Sequence, residues 1–143
     1  RAGNAQLLAT KNFQVDAFDL SPNVINALKQ YDQTSINPQV WNSEEDTLKI
    51  SYYDVIVVSY FLQRDLFPTI IQALKPKGLL FYQTWSQESV DSSGPRNPNF
   101  RLRQGELLSH CNGMRIILYQ EEGNTGDVNL GNRNEACLIA QKI

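Results

Sequence analysis

The stretch FQVDAFDLSPNVINALK, residues 13–29, decides the fold. Phe13, Val15, Ala17 and Phe18 read as a short apolar strand, and Asp19 ends it. Ser21 then stands where an N-cap belongs, with Pro22 at the first helical position, where its missing N–H costs nothing. Val24, Ile25 and Leu28 supply that helix with a buried stripe. In an open α/β sheet this order sets a carboxylate at the carboxyl edge, placed to accept hydrogen bonds from both hydroxyls of a bound ribose. Upstream, residues 1–12 (RAGNAQLLATKN) read as the tail of a glycine-bearing turn entering a helix, with Ala5, Leu8 and Ala9 on one face and Asn4 as a cap. Turn and carboxylate would meet at one site, and the ligand expected there is an adenosine-containing cofactor. Asp16 falls on the other face of the strand and is expected to be solvated.

Composition narrows the classes. A chain of 143 residues, 41% hydrophobic and 20% charged, fits one globular domain. Its net charge of -2, without a long lysine or arginine run, disfavours nucleic acid as the main partner. No apolar run approaches the roughly 20 residues needed to span a bilayer, so no membrane association is expected. Cys111 and Cys137 lack CxxC or Cys/His spacing and read as reduced packing thiols of a cytoplasmic protein, with no metal site. A homodimer is compatible with this composition.

Helix and strand alternate along the rest of the chain. Residues 32–49 are polar, with one short strand around 39–41. DVIVVSYFL (54–62) is a run of branched apolar residues without alternation, the pattern of a parallel strand buried on both faces. A helix follows over RDLFPTIIQALKPKG, with Leu66, Ile70, Ile71 and Leu74 facing the core and residues 75–78 as its stop. LLFYQTW (79–85) is the next strand, and the polar loop 86–100 is long enough to suggest a functional lid. A helix begins near residue 103. Two strands, 114–123 and 134–143, close the chain with no helix between them, which predicts an antiparallel edge hairpin on an otherwise parallel sheet.

The segments GNAQLLA (3–9), VDAFDLSP (15–22), YDVIVVSYFL (53–62), LFPTIIQALKPKGLLFYQTW (66–85) and GPRNPNFRLRQGELL (94–108) together resemble the class I S-adenosylmethionine-dependent methyltransferases, and most closely their tellurite-resistance-type or general methyltransferase-domain group. The resemblance implies a Rossmann-like three-layer α/β sandwich, a mostly parallel sheet with a C-terminal antiparallel hairpin, and transfer of a methyl group from S-adenosylmethionine to an acceptor that the sequence does not identify: a small-molecule acceptor is expected, with metalloid oxyanions and macromolecules left open. It implies cofactor contacts at Gly3, Asn4, Asp19, Leu20, Ser43, Ser59 and Tyr60, with adenine near Asn42, Ser43 and Glu44. Acceptor contacts fall at Tyr60, Tyr82, Trp85 and Arg96, with Asn97 beside the last. Tyr60, Tyr82 and Trp85 read equally as packing aromatics, and Gly3 and Asn4 as a plain turn and cap. His110, the only histidine, lies far along the chain from these positions and is not expected to be catalytic.

The family's first strand and most of its glycine loop have no counterpart before Ala2, Gly3 and Asn4. That strand would lie between those ending at Asp19 and Ser59. The expectation is that about 30 to 50 further N-terminal residues supply it, or that another segment or a partner chain fills the slot. Two rivals stand beside the methyltransferase reading: an NAD-dependent oxidoreductase, which predicts a parallel last strand, and a methyltransferase-like protein without activity.

Overall fold

The computed structural model describes residues 3–30, 35–42 and 44–143. The chain divides into two compact units, Arg1–Thr47 and Leu48–Ile143.

In the first unit, α1 (Gly3–Thr10) leads to β1 (Val15–Asp19), α2 (Pro22–Lys29) and β2 (Ile36–Val40). β1 and β2 pair in parallel from Val15↔Ile36 to Asp19↔Val40. The ladder extends one step further, because the Trp41 N–H donates to the Asp19 carbonyl at 2.8 Å. Pro22 opens α2 as expected, and Ile25 and Leu28 are its buried residues. Three expectations change here. Helix α1 starts at Gly3, so Asn4 lies inside its first turn rather than capping it. The Ser21 hydroxyl makes no cap bond; the Asp19 carboxylate takes the Ser21 N–H instead, at 2.8 Å. Asp16 is half-buried rather than solvated, and it accepts from Asn37 Nδ2 of β2 at 3.3 Å. Parallel pairing brings those two side chains level on one face, which a single strand's pattern does not reveal.

The second unit is a four-stranded mixed sheet in the order β3-β4-β6-β5, made of β3 (Tyr53–Ser59), β4 (Leu74–Trp85), β5 (Arg115–Gln120) and β6 (Glu135–Gln141). β3 and β4 run parallel, joined by a 3-10 turn at Arg64–Leu66 and by α3 (Phe67–Ala73). β6 is antiparallel to both β4 and β5, so the terminal hairpin is present and the oxidoreductase alternative loses its parallel last strand.

The helix expected over 64–78 is shorter, because residues 74–78 already belong to β4. Tyr53 pairs with Leu74, and the register then jumps so that Val55 pairs with Leu79. Lys77 takes a left-handed φ of 71°, and at Gly78 a Cβ would come within 2.8 Å of the Lys75 carbonyl oxygen. The segment is therefore a bulge within a strand rather than a helix stop. The helix expected from residue 103 is also reduced, to α4 (Glu106–His110), because Gly105 is left-handed immediately before it. β3 is half-buried rather than covered throughout, and it is the end strand of its sheet.

The core of this unit lies on one face of the sheet. Leu80 and Tyr82 of β4 and Ala136, Leu138 and Ala140 of β6 meet Phe67, Ile70 and Leu74 from the α3 region and Leu102, Leu107 and Cys111 from the α4 region. Burial pushes the Cys111 thiol up to about 11, so it stays protonated at neutral pH and packs as a small apolar group. The opposite face carries the alternate residues Gln83, Trp85, Glu135 and Cys137, all half-buried. No helix among the described residues is long and apolar enough to cross a membrane.

Candidate functional site

In the first unit the chemistry gathers at the carboxyl ends of β1 and β2. Asp19 is half-buried, with Oδ1 engaged by the Ser21 N–H. This bond turns the strand into α2 and fixes the carboxylate's direction, while its remaining lone pairs stay available to further donors. Trp41 directly follows β2, 8% exposed, with its ring edge-on to Phe18 at 5.5 Å. Its indole N–H is buried and has no hydrogen-bond partner among the described residues. Such an orphan donor costs about 1 to 3 kcal/mol. A fixed acceptor with open lone pairs at the carboxyl end of a strand suits a ligand that donates, as ribose hydroxyls do, while Trp41 packs with Phe18 on the other face of the ladder. The Asp19 carboxylate therefore fits the ribose of the cofactor that the sequence implied.

Leu20 is exposed beside Asp19. Gly3 and Asn4 form the first turn of α1, both exposed. Ser43 lies outside the described residues. Asn42 and Glu44 are exposed and hold a local turn, the Asn42 side-chain oxygen accepting from the Glu44 N–H at 3.0 Å.

In the second unit a cluster forms where β3 and β4 end and β6 begins, at the carboxyl edge that open α/β sheets use for ligands. Tyr60, the residue after β3, has a left-handed φ of 55°. A non-glycine residue held there costs on the order of 1 kcal/mol and marks a position that its surroundings enforce. Its N–H is held by the Gln83 carbonyl at 2.8 Å, and its hydroxyl donates to both Glu135 oxygens at 3.0 Å. Gln83 Nε2 donates to the same carboxylate at 2.6 Å. The Tyr60 and Trp85 rings lie 5.3 Å apart, tilted by 41°. Burial and then the Glu135 bond lift the Tyr60 hydroxyl above its ordinary range, so it donates at neutral pH.

Trp85 is positioned from behind. The Arg101 guanidinium lies 5.6 Å from its ring, and at Gly94 (φ 86°) a Cβ would stand 2.6 Å from the indole. Arg101 itself is 7% exposed and donates to the carbonyls of Pro95 and Ser86, each at 2.8 Å, and of Ser93. Loop 86–100 is thus stapled to a buried guanidinium, and a parallel bridge from Ser86 to Leu102 closes it.

The structure brings Tyr60 and Trp85 together. Tyr82 instead sits in the core, 2% exposed, stacked on Phe67, with its hydroxyl donating to the Phe61 carbonyl at 2.6 Å. Arg96 is exposed on the loop, and Asn97 caps the turn Pro98–Phe100 by accepting from the Asn99 N–H. Ser59 is the half-buried last residue of β3. His110 bonds Glu106 at 2.8 Å and stacks on Phe67, a structural setting. Among the described residues no group of three or more histidine, cysteine or acidic side chains is placed to hold a metal ion.

The sequence profile of the family described as "Methyltransferase domain" matches residues 2–116. Among solved structures, an S-adenosylmethionine-dependent methyltransferase from Mesorhizobium loti is 18% identical, with a TM-score of 0.67 over 89% of this chain and 79% of that one. A TehB-like S-adenosylmethionine-dependent methyltransferase from Corynebacterium glutamicum is 18% identical, with a TM-score of 0.67 over 96% of this chain and 72% of that one. TehB from Haemophilus influenzae is 20% identical, with a TM-score of 0.64 over 91% of this chain and 50% of that one. No curated protein sequence matches the chain.

Proposed function

Because the chain belongs to the methyltransferase-domain family, we propose that it transfers a methyl group from S-adenosylmethionine to a small-molecule acceptor, with Asp19 receiving the ribose hydroxyls. When bound, the cofactor supplies an electrophilic methyl on a positively charged sulfur. The protein's task is then to bind, orient and exclude water rather than to supply an acid and base pair. In the first unit, Asp19 accepts hydrogen bonds from the ribose hydroxyls, and Gly3, Asn4 and Leu20, with Ser43 from outside the described residues, are the further cofactor contacts of this reading. In the second unit, Tyr60 and Trp85 offer ring surface to an acceptor, and Ser59 and Tyr60 line the end of β3. The observation that carries this reading is the Asp19 carboxylate at the carboxyl end of β1, its direction fixed by the Ser21 N–H and its other lone pairs open to donors. Two free thiols fit a reducing compartment and support a cytoplasmic location.

Calorimetry with S-adenosylhomocysteine tests it. Asp19→Ala should weaken binding by about 1.5 to 3 kcal/mol, the scale of hydrogen bonds to a charged acceptor. Asp19 also caps the Ser21 N–H, so the alanine variant should lose about 1 kcal/mol of stability as well. Asp19→Asn separates the two roles: it keeps an oxygen for Ser21 but removes the charge, so affinity should fall while melting stays near wild type. Unchanged affinity in both variants would reduce Asp19 to a cap and remove the proposed site.

A further inference from the structure

Glu135 opens β6 directly opposite Trp85 in the antiparallel ladder. Its carboxylate receives two donors, the Tyr60 hydroxyl and the Gln83 amide, and both are neutral. Among the described residues no lysine, arginine or histidine forms an ion pair with it; the four ion pairs there are centred on Glu106 and Asp54. Arg101, the guanidinium beside Trp85, is committed to three backbone carbonyls, and Arg133, two residues before Glu135, is likewise committed to backbone carbonyls. Glu135 is half-buried. A carboxylate in that setting is satisfied only by neutral dipoles, so no cation among the described residues is set against it.

The surroundings of this charge are aromatic. Tyr60 and Trp85 lie side by side next to it, and Tyr60 is 52% exposed, so a solute reaches the cluster from solvent. Ring faces attract cations through their quadrupole, and the attraction grows as the cation is desolvated. Arg101 already uses the Trp85 ring in this way. A carboxylate beside two such rings has the chemistry of an ammonium site: the charge attracts, the carboxylate accepts N–H bonds, and the rings replace water around the rest of the group. A carboxylate-bearing or phosphorylated acceptor would meet repulsion there instead.

We propose that Glu135, together with Tyr60 and Trp85, selects an acceptor that carries an ammonium group. The proposal rests on the methyltransferase reading above and names the class of acceptor for that activity. Glu135 acts in recognition. The methyl-accepting atom is a separate matter, and no proton transfer to Glu135 is invoked.

Benzylammonium and its uncharged near-isostere benzyl alcohol serve as probes, titrated calorimetrically into the full protein and into Glu135→Gln and Tyr60→Leu. In the wild type the ammonium should bind about ten-fold tighter than the alcohol. Glu135→Gln should bring the two within about two-fold of each other, and Tyr60→Leu should weaken the ammonium while keeping part of the charge preference. Equal affinities in the wild type, or a preference that persists in Glu135→Gln, would overturn the proposal. Binding of S-adenosylhomocysteine to the same three proteins keeps the two readings apart: its loss from the wild type would sink the cofactor assignment, while the probe comparison still reports on Glu135 alone. If Glu135→Gln melts early, Tyr60→Leu decides, since a benzylammonium affinity unaltered by loss of the ring contradicts the site.

Discussion

Phe67→Ala is expected to lower the unfolding free energy by about 3 to 5 kcal/mol, the largest loss from a single truncation in the Leu48–Ile143 unit. Phe67 opens α3 and is 1% exposed. On one side its ring stacks on Tyr82, with centroids 4.9 Å apart, and on the other it lies against the His110 ring at 4.0 Å and nearly parallel. Deleting it removes the buried area of an aromatic side chain and two ring pairs, each worth about 0.5 to 1.5 kcal/mol beyond area. The space left behind cannot close easily. Tyr82 is held by its strand and by the bond from its hydroxyl to the Phe61 carbonyl, and His110 is held by Glu106. A cavity that its walls cannot fill adds its own cost to the lost burial. Phe67→Leu keeps most of the volume and should lose about half as much. Urea unfolding of the three proteins measures both values, and a loss below about 1 kcal/mol in the alanine variant would show that α3 repacks freely.

What the sequence made legible here were features written into neighbouring residues. The β1–α2 segment was readable because Asp19, Ser21 and Pro22 punctuate it and Val24, Ile25 and Leu28 keep helical spacing. The terminal hairpin was readable because two strand-like runs have only a Gly/Asn-rich link between them. Residues 74–78 were misread because Lys-Pro-Lys-Gly has the chemistry of a helix stop, and only the pairing with β3 shows that it is a bulge inside a strand. The chemical cluster was half legible. Tyr60 and Trp85 stood at strand ends and could be named. Glu135 could not, since its meaning comes from lying opposite Trp85 in the ladder, fifty residues away in the chain. The same holds for Arg101: alone it is one arginine after a polar loop, but once buried it is the post that holds the loop and Trp85 in place. Long-range pairing, rather than local propensity, set what the sequence concealed.

Glu106 should make this protein sensitive to acid. Its side chain is 3% exposed, 2.7 Å from Arg64 Nε and 2.8 Å from His110 Nε2, and it also accepts from the Arg103 N–H at 2.9 Å. Arg64 further binds the carbonyls of Asn99 and Arg101, so the carboxylate anchors α4 and the end of the stapled loop to the turn before α3. Burial by itself would push the Glu106 carboxyl up, but the bonds from Arg64, the Arg103 N–H and His110 outweigh it and hold the group down at about 2, against an ordinary 4.5. A carboxyl lowered by folding contributes stability that is complete above its unfolded value and is lost as pH falls through its folded one. The contribution should therefore disappear between about pH 4.5 and about pH 2, and by linkage it amounts to roughly 3 kcal/mol. Glu106→Ala should cost about 2 to 4 kcal/mol at neutral pH, because it leaves Arg64 partly buried beside no anion. Glu106→Gln supplies the sharper test: other carboxylates titrate equally in both proteins, so the gap in stability between wild type and Glu106→Gln should narrow steadily as the solution is acidified from about pH 5 to about pH 2. A gap that stays constant over that window would mean that the carboxylate is not ionised in the folded protein, and that the cluster holds its shape by neutral hydrogen bonds alone.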